Sequence, residues 1–191
     1  MLRSLKIFIL SLSLLGGTFG VAAADDYTLD ATHSAVMFKV LHNGTAFTHG
    51  MFTKLSGALT LGATPAEHTI KVEVDASSVF TNQRKRDQHL RSPDFFNASE
   101  FPTLSFVSTR WEPKGEDRFH VTGKLTMRGV TKEVTIPVRK TGMGRNRKGK
   151  ALVGFEGSFS VKRSDYGISW GVPMPAADQV FLTISVEGVQ R

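Results

Sequence analysis

Phe119-His120-Val121-Thr122-Gly123-Lys124-Leu125-Thr126-Met127-Arg128-Gly129-Val130-Thr131-Lys132-Glu133-Val134-Thr135-Ile136-Pro137-Val138 alternates apolar and polar residues on both sides of one short interruption. Phe119, Val121, Gly123, Leu125 and Met127 share one face, and Val134, Ile136 and Val138 share another. A spacing of two is that of a strand, whose successive side chains leave opposite faces. Arg128-Gly129 sits between the two runs, so the stretch predicts two antiparallel strands joined by a tight turn.

Outward from this hairpin the same alternation recurs. Ser34, Val36, Phe38, Val40 and His42 mark one strand. Gly57, Leu59 and Leu61 mark another, after Gly50-Met51-Phe52, and Ile70, Val72, Val74 and Ala76 a third. Leu104, Phe106 and Ser108 follow Pro102. The run Ala151, Val153, Phe155, Gly157, Phe159 and Val161, and the run Val180, Leu182, Ile184 and Val186, complete eight. Short turns and one apolar face per strand predict an all-β chain, an antiparallel sheet that must cover its apolar side. Closure into an eight-stranded barrel does this and removes exposed edges. A two-sheet sandwich is the alternative that the spacing leaves open.

The pattern breaks twice. Phe80 to Phe101 holds Arg84-Lys85-Arg86-Asp87-Gln88-His89-Leu90-Arg91 and Ser92-Pro93-Asp94-Phe95-Phe96. Ser92 as N-cap with Pro93 in the first turn predicts one short helical insertion starting there. Ile168 to Asp178, with Pro173 and Pro175, reads as a long loop.

The chain begins with Arg3 and Lys6, an apolar run from Ile7 to Leu15, and Ala22-Ala23-Ala24 before Asp25. That order is a secretory leader with a small-residue cleavage site, and the run falls short of the about 20 residues a membrane helix needs. The expectation is a leader over residues 1–24 and one exported, periplasmic domain over 25–191. Without cysteine, this domain has neither disulfides nor thiolate metal sites. Removing Arg3 and Lys6 from 24 basic residues leaves 22 against 17 acidic, a net charge of +5. The excess favours anionic partners such as phosphates or a lipid surface, and an exported location argues against nucleic acid.

Several pieces are similar to the YceI-like family of polyisoprenoid-binding proteins. They are Tyr27-x-Leu29-Asp30-x-x-His33-Ser34, Phe38-x-Val40-x-His42, Gly50-x-Phe52, Val79-x-Thr81 and Arg86-Asp87-x-His89-Leu90-Arg91-Ser92-x-Asp94-Phe95-Phe96. Phe101-Pro102-Thr103-x-x-Phe106, Gly123-x-Leu125-Thr126-x-Arg128-Gly129-Val130-Thr131 and Arg163-Ser164-Asp165-Tyr166-Gly167-Ile168 continue the match in order. The resemblance implies a lipocalin-like barrel around a long isoprenoid chain, in proteins that are periplasmic or secreted, often homodimeric, and not known as catalysts. The chain departs from the family pattern mainly in the basic loop Arg139 to Lys150.

A narrow barrel has room for side chains or for one slender ligand. Phe38, Phe106, Phe155 and Phe159 are candidate apolar wall, with ordinary core packing as the alternative role. Gly57, Gly123 and Gly157 fall on inward faces, where they either leave room for a ligand or let strands coil. The polar candidates are His42, Arg84, Arg86, Asp87, His89, Arg91 and Arg163. Arginine forks suit an anionic head group at a barrel mouth; the bland alternatives are a solvated helix with an Arg86–Asp87 pair and a buried Arg163–Asp165 pair. Arg145-Asn146-Arg147-Lys148-Gly149-Lys150 reads as a solvated hairpin tip, with transient membrane-surface contact as a second role.

An enzyme, such as a hydrolase acting on an amphiphilic lipid, is the competing class. The six histidines show neither i,i+4 helical nor i,i+2 strand spacing, and there is no Gly-x-Ser-x-Gly elbow. The sequence reading is therefore a binding or carrier protein for an isoprenoid quinone or prenyl phosphate, with no catalytic residues, metal or cofactor expected.

Overall fold

The computed structural model describes residues 24–191; the leader expected over residues 1–24 lies, but for its last residue, outside them. The strands are β1 (Asp25–Leu29), β2 (Ala35–His42), β3 (Ala46–Phe52), β4 (Leu55–Leu61), β5 (Thr69–Asp75), β6 (Val79–Phe80), β7 (Thr103–Pro113), β8 (Arg118–Met127), β9 (Val130–Arg145), β10 (Ala151–Lys162) and β11 (Ala176–Gln190), with one helix, α1 (Arg84–Arg91).

Eight of these strands close a ring, β1-β4-β5-β7-β8-β9-β10-β11, through the β1–β11 pairing. The remaining three continue interrupted strands. Along β11, Gly188 faces Leu29 of β1 whereas Leu182 faces Phe38 of β2. Likewise β3 and β4 are two halves of one strand, as are β5 and β6, with β3–β6 pairing at Phe52 and Val79. The wall thus has eight antiparallel strands, three of them broken, which is the expected barrel.

The β8–β9 hairpin pairs Met127 with Val130. Arg128 (φ 48°) and Gly129 (φ 74°) form the two-residue turn, both left-handed, and this turn matches the twist of the strands it joins. A side chain on Gly129 would also meet the Phe101 ring at 2.7 Å.

Three expectations need correction. The helix does not begin at Ser92 but ends there. Gln83 caps its start by accepting from the Arg86 N–H, and the Ser92 N–H donates to His89 O. Pro93 then holds Ser92 in extended backbone, which stops the helix. Residues 25–29, left out of the strand count, form the seam-closing β1. Finally, half of the supposed loop Arg139 to Lys150 is strand: β9 runs to Arg145, leaving a tight tip where Asn146 Oδ1 accepts from the N–H groups of Lys148 and Lys150.

Strand directions place the β2–β3, β8–β9 and β10–β11 connections and α1 at one end, and the β7–β8 and β9–β10 turns at the other. The second end is plugged. Trp111 packs edge-on against Phe155 (5.5 Å between centroids), Phe119 (5.6 Å) and His68 (5.6 Å), above buried Tyr27, Leu59, Val121 and Val153. Each such fully buried aliphatic side chain contributes about 2 kcal/mol of transfer free energy. The first end is not filled in this way.

Candidate ligand-binding site

The unplugged half of the barrel encloses a cavity of about 450 Å³, within the range of small-molecule sites. Phe38, Phe106 and Phe159 line it as expected, with Val36, Leu104 and Leu182 among the further apolar wall. Phe38, Leu104, Phe159 and Leu182 face the interior yet stay only half-buried. Unfilled space next to inward apolar groups is the reason, since a packed core would cover them.

Polar groups gather at the mouth. His42 from the end of β2, Lys85, Arg86 and His89 from α1, Thr81 before the helix and Arg163 after β10 all reach the lining. Among the described residues no carboxylate does.

Two of these cations are already engaged. Arg86 Nε donates to Thr81 Oγ1 and Nη2 to Thr81 O, both at 2.8 Å. Thr81 in turn gives its N–H and hydroxyl to Asp87 Oδ1, at 2.8 and 2.5 Å. The Arg86–Asp87 pair is therefore replaced by two contacts converging on Thr81. Arg163, 5 % exposed, donates to the carbonyls of Ala177 (3.0 Å), Ile168 (3.2 Å), Trp170 (2.8 Å) and Ala176 (2.7 Å). Burial pushes its pKa down, and nearby Asp178 works in the opposite sense. It makes no pair with Asp165, which faces Lys132 instead, at 3.8 Å. Arg163 is the clasp of the loop from Ile168 to Pro175.

His89 Nε2 lies 2.9 Å from Asp94 Oδ2, and its ring packs on Trp170 (4.6 Å between centroids) and Phe95 (4.9 Å). This leaves Lys85, exposed and in no ion pair among the described residues, as the unpaired lysine of the rim.

Of the sequence candidates, Phe38, His42, Arg86, His89, Phe106, Phe159 and Arg163 come together on this cavity. Arg84 and Asp87 do not line it. Arg91 is likewise structural, donating to Ser77 O and Val79 O. Phe155 and Gly157 line a separate void of about 40 Å³ in the plugged half. Gly123 leaves no ligand space: a Cβ there would meet the Phe106 ring at 2.6 Å and Val107 O at 2.5 Å, so the room is taken by Phe106.

Sequence reasoning missed Lys85, Phe95, Phe96 and Trp170. Phe95 and Phe96 belong to the family-like motif that follows α1, but nothing in the period-two pattern says where an irregular segment folds. Away from the cavity, Asp30, His33 and Glu187 meet at the seam, with His33 Nδ1 2.9 Å from Asp30 and 3.6 Å from Glu187.

With this geometry in view, the likeness to known proteins is extensive. Residues 27–188 match the model of the YceI-like domain. The chain is 38 % identical to a UPF0312 protein of Azotobacter vinelandii over 99 % of its own length and 98 % of the relative's. It is 39 % identical to protein YceI of Escherichia coli, over 94 % and 98 %. Among solved structures, Burkholderia cenocepacia BcnA superposes with a TM-score of 0.76 at 26 % identity, covering 83 % of this chain and 98 % of that one. A polyisoprenoid binding domain from Saccharophagus degradans has the same fold, with a TM-score of 0.71 at 16 % identity over 86 % and 98 %. The chain belongs to the YceI-like family.

Proposed function

We propose that the protein is a periplasmic binding or carrier protein for a polyisoprenoid lipid, with the tail in the barrel and the head at the mouth. The observation that carries this reading is the mainly apolar cavity of about 450 Å³, whose basic groups gather at its open end and whose lining holds no carboxylate among the described residues. Each buried five-carbon unit is worth roughly 4 kcal/mol before ordering costs. A few well-packed units therefore reach micromolar affinity even after substantial losses. The same fold in a domain described as polyisoprenoid-binding supports the ligand class. The basic rim favours a prenyl phosphate over a neutral quinone. The leader-like sequence of residues 1–24, with its basic start, apolar run and Ala22-Ala23-Ala24, supports the periplasmic location.

Native mass spectrometry of protein purified from its own cells without detergent tests this directly. A co-purified prenyl lipid of defined mass is the expected result. Protein that stays empty, and takes up neither prenyl phosphate nor quinone when these are supplied, overturns the reading.

A further inference from the structure

Eight large apolar side chains are exposed among the described residues, and six lie on one side of the barrel mouth. Trp170 (43 % exposed) and Met174 (56 %) are on the loop clasped by Arg163. Phe47 (43 %), Phe181 (37 %), Met37 (40 %) and Phe80 (46 %) are on the outer wall of β2, β3, β6 and β11. Register makes the wall contiguous, since Phe181 faces Lys39, Leu41 faces Phe47, and Met51 faces both Met37 and Phe80. The Asn43 N–H donates to Pro175 O at 2.8 Å, tying the β2–β3 turn to the loop.

Cations are set among these groups. Lys39 Nζ lies 4.8 Å from the Phe47 ring centre and 5.6 Å from that of Phe181. Lys39, Arg84 and Lys85 take part in none of the ion pairs of the described residues. The neighbouring acids are engaged: Asp87 by Thr81, Asp94 by His89, Asp178 by Ser164.

We propose that this side of the mouth docks onto an anionic lipid bilayer, so that the cavity opens directly into the membrane. The proposal rests on the lipid reading of the cavity but concerns a different surface. Aromatic and methionine side chains interleaved with lysine and arginine match the bilayer boundary, where apolar groups sink among head groups and cations meet phosphates. Charge favours the bilayer over a second copy of this chain. A two-fold contact across the patch centre would bring Lys39 against Lys39. The basic tip at Arg145 to Lys150 lies at the plugged end and has no part in this docking.

Flotation with vesicles of phosphatidylcholine alone, or of an equimolar mixture with phosphatidylglycerol, tests the proposal. Wild-type protein should float with the mixed vesicles, less so at high salt, and stay behind with the neutral ones. Each basic charge at an anionic surface is worth about fivefold in binding, so Lys39→Glu should lose roughly 25-fold. Phe47→Ser combined with Met174→Ser should lose binding by the apolar route. None of these residues lines the cavity, so uptake of a fluorescent prenyl probe added from ethanol should be unchanged. Wild type that floats with neither vesicle, or variants that float as well as wild type, overturn the proposal; continued probe uptake then leaves the cavity reading standing. A dimer that Lys39→Glu or Phe47→Ser dissolves, with no vesicle binding, also overturns it and assigns the face to a second copy. Vesicle binding without probe uptake would keep the docking surface and overturn the lipid reading of the cavity.

Discussion

Thr81 and Asp87 are joined twice: one carboxylate oxygen of Asp87 accepts both the N–H (2.8 Å) and the hydroxyl (2.5 Å) of Thr81. Both residues are buried. The pair anchors α1 to the end of β6, and so sets the side of the mouth that carries Lys85 and His89. Removing the carboxylate leaves two buried donors without an acceptor. Asp87→Ala should destabilise the protein by about 3 kcal/mol, counting roughly 1.5 kcal/mol per bond to a charged group. Asp87→Asn, which keeps an oxygen, should lose less. Denaturant titration of both variants decides this, and equal stability to wild type would refute the anchor.

Arg163 bonds four carbonyls at the two ends of one loop, Ile168 and Trp170 within it and Ala176 and Ala177 where β11 begins, and lysine cannot reproduce that planar fork. Arg163→Lys should cost about 2–3 kcal/mol, since two or more carbonyls lose a charged donor. The damage should be local, so limited proteolysis should cut first between Ile168 and Pro175. Cleavage at the wild-type rate would show that the loop holds without the clasp.

The strands were legible because a half-covered wall forces alternation; the alternation left barrel and sandwich both open, and the β1–β11 pairing is what closes the barrel. Strand β1 was not, since Asp25-Asp26-Tyr27-Thr28-Leu29 offers only two alternating apolar residues. What makes it a strand is its register with β4 and β11, more than 150 residues apart in the case of Leu29 and Gly188. The helix is polar almost throughout and is capped by a glutamine, so Ser92-Pro93 gave the stronger but misleading start signal. The cavity's extent was hidden for another reason. Inward faces are apolar along the whole barrel, and only register shows that Trp111, Phe119 and Phe155 share one level and fill it.

The seam should respond to pH. The hydrogen bond that the His33 ring donates to Asp30, then the charge of Asp30, raises the His33 pKa above its ordinary value near 6.5, with Glu187 adding to this. The same hydrogen bond holds the Asp30 carboxyl below its usual range. A raised histidine contributes stability that is complete below its unfolded pKa and disappears as pH rises through its folded one. The lowered Asp30 gives stability that is lost only as pH falls through its own folded value. The seam is therefore tightest in mild acid, and the melting temperature should fall slightly as pH rises through the raised folded-state pKa of His33. His33→Gln should flatten that slope, and an unchanged profile would remove His33 from the seam's energetics.

Lys85 and Arg86 should separate head-group recognition from folding. Lys85 is free at the rim, so Lys85→Ala should weaken a prenyl phosphate by about 1 kcal/mol and leave a neutral quinone untouched. Arg86 is held on Thr81, so Arg86→Ala should lower the melting temperature and weaken every ligand alike. Binding of both ligands to both variants by tryptophan quenching checks this. A selective loss in Arg86→Ala, with Lys85→Ala neutral, would reverse the two roles.

The cavity itself is tested by filling it from the right wall. Gly123 faces inward, but its space belongs to Phe106, so Gly123→Leu should drive the new side chain into that ring and into Val107 O. Overpacking of this kind costs typically 1–3 kcal/mol, and any ligand loss would follow from instability. Leu182 is different: it lines the open half and is only partly covered by neighbours. Leu182→Trp has unfilled volume to enter, so it should keep near-normal stability and lower prenyl affinity at least tenfold, the equivalent of losing a few buried methylene contacts at about 0.8 kcal/mol each. The comparison of the two variants carries the conclusion. Binding lost in Leu182→Trp at full stability places the tail against β11, whereas normal binding there would mean that the prenyl chain does not occupy the cavity between Phe38, Phe106 and Phe159.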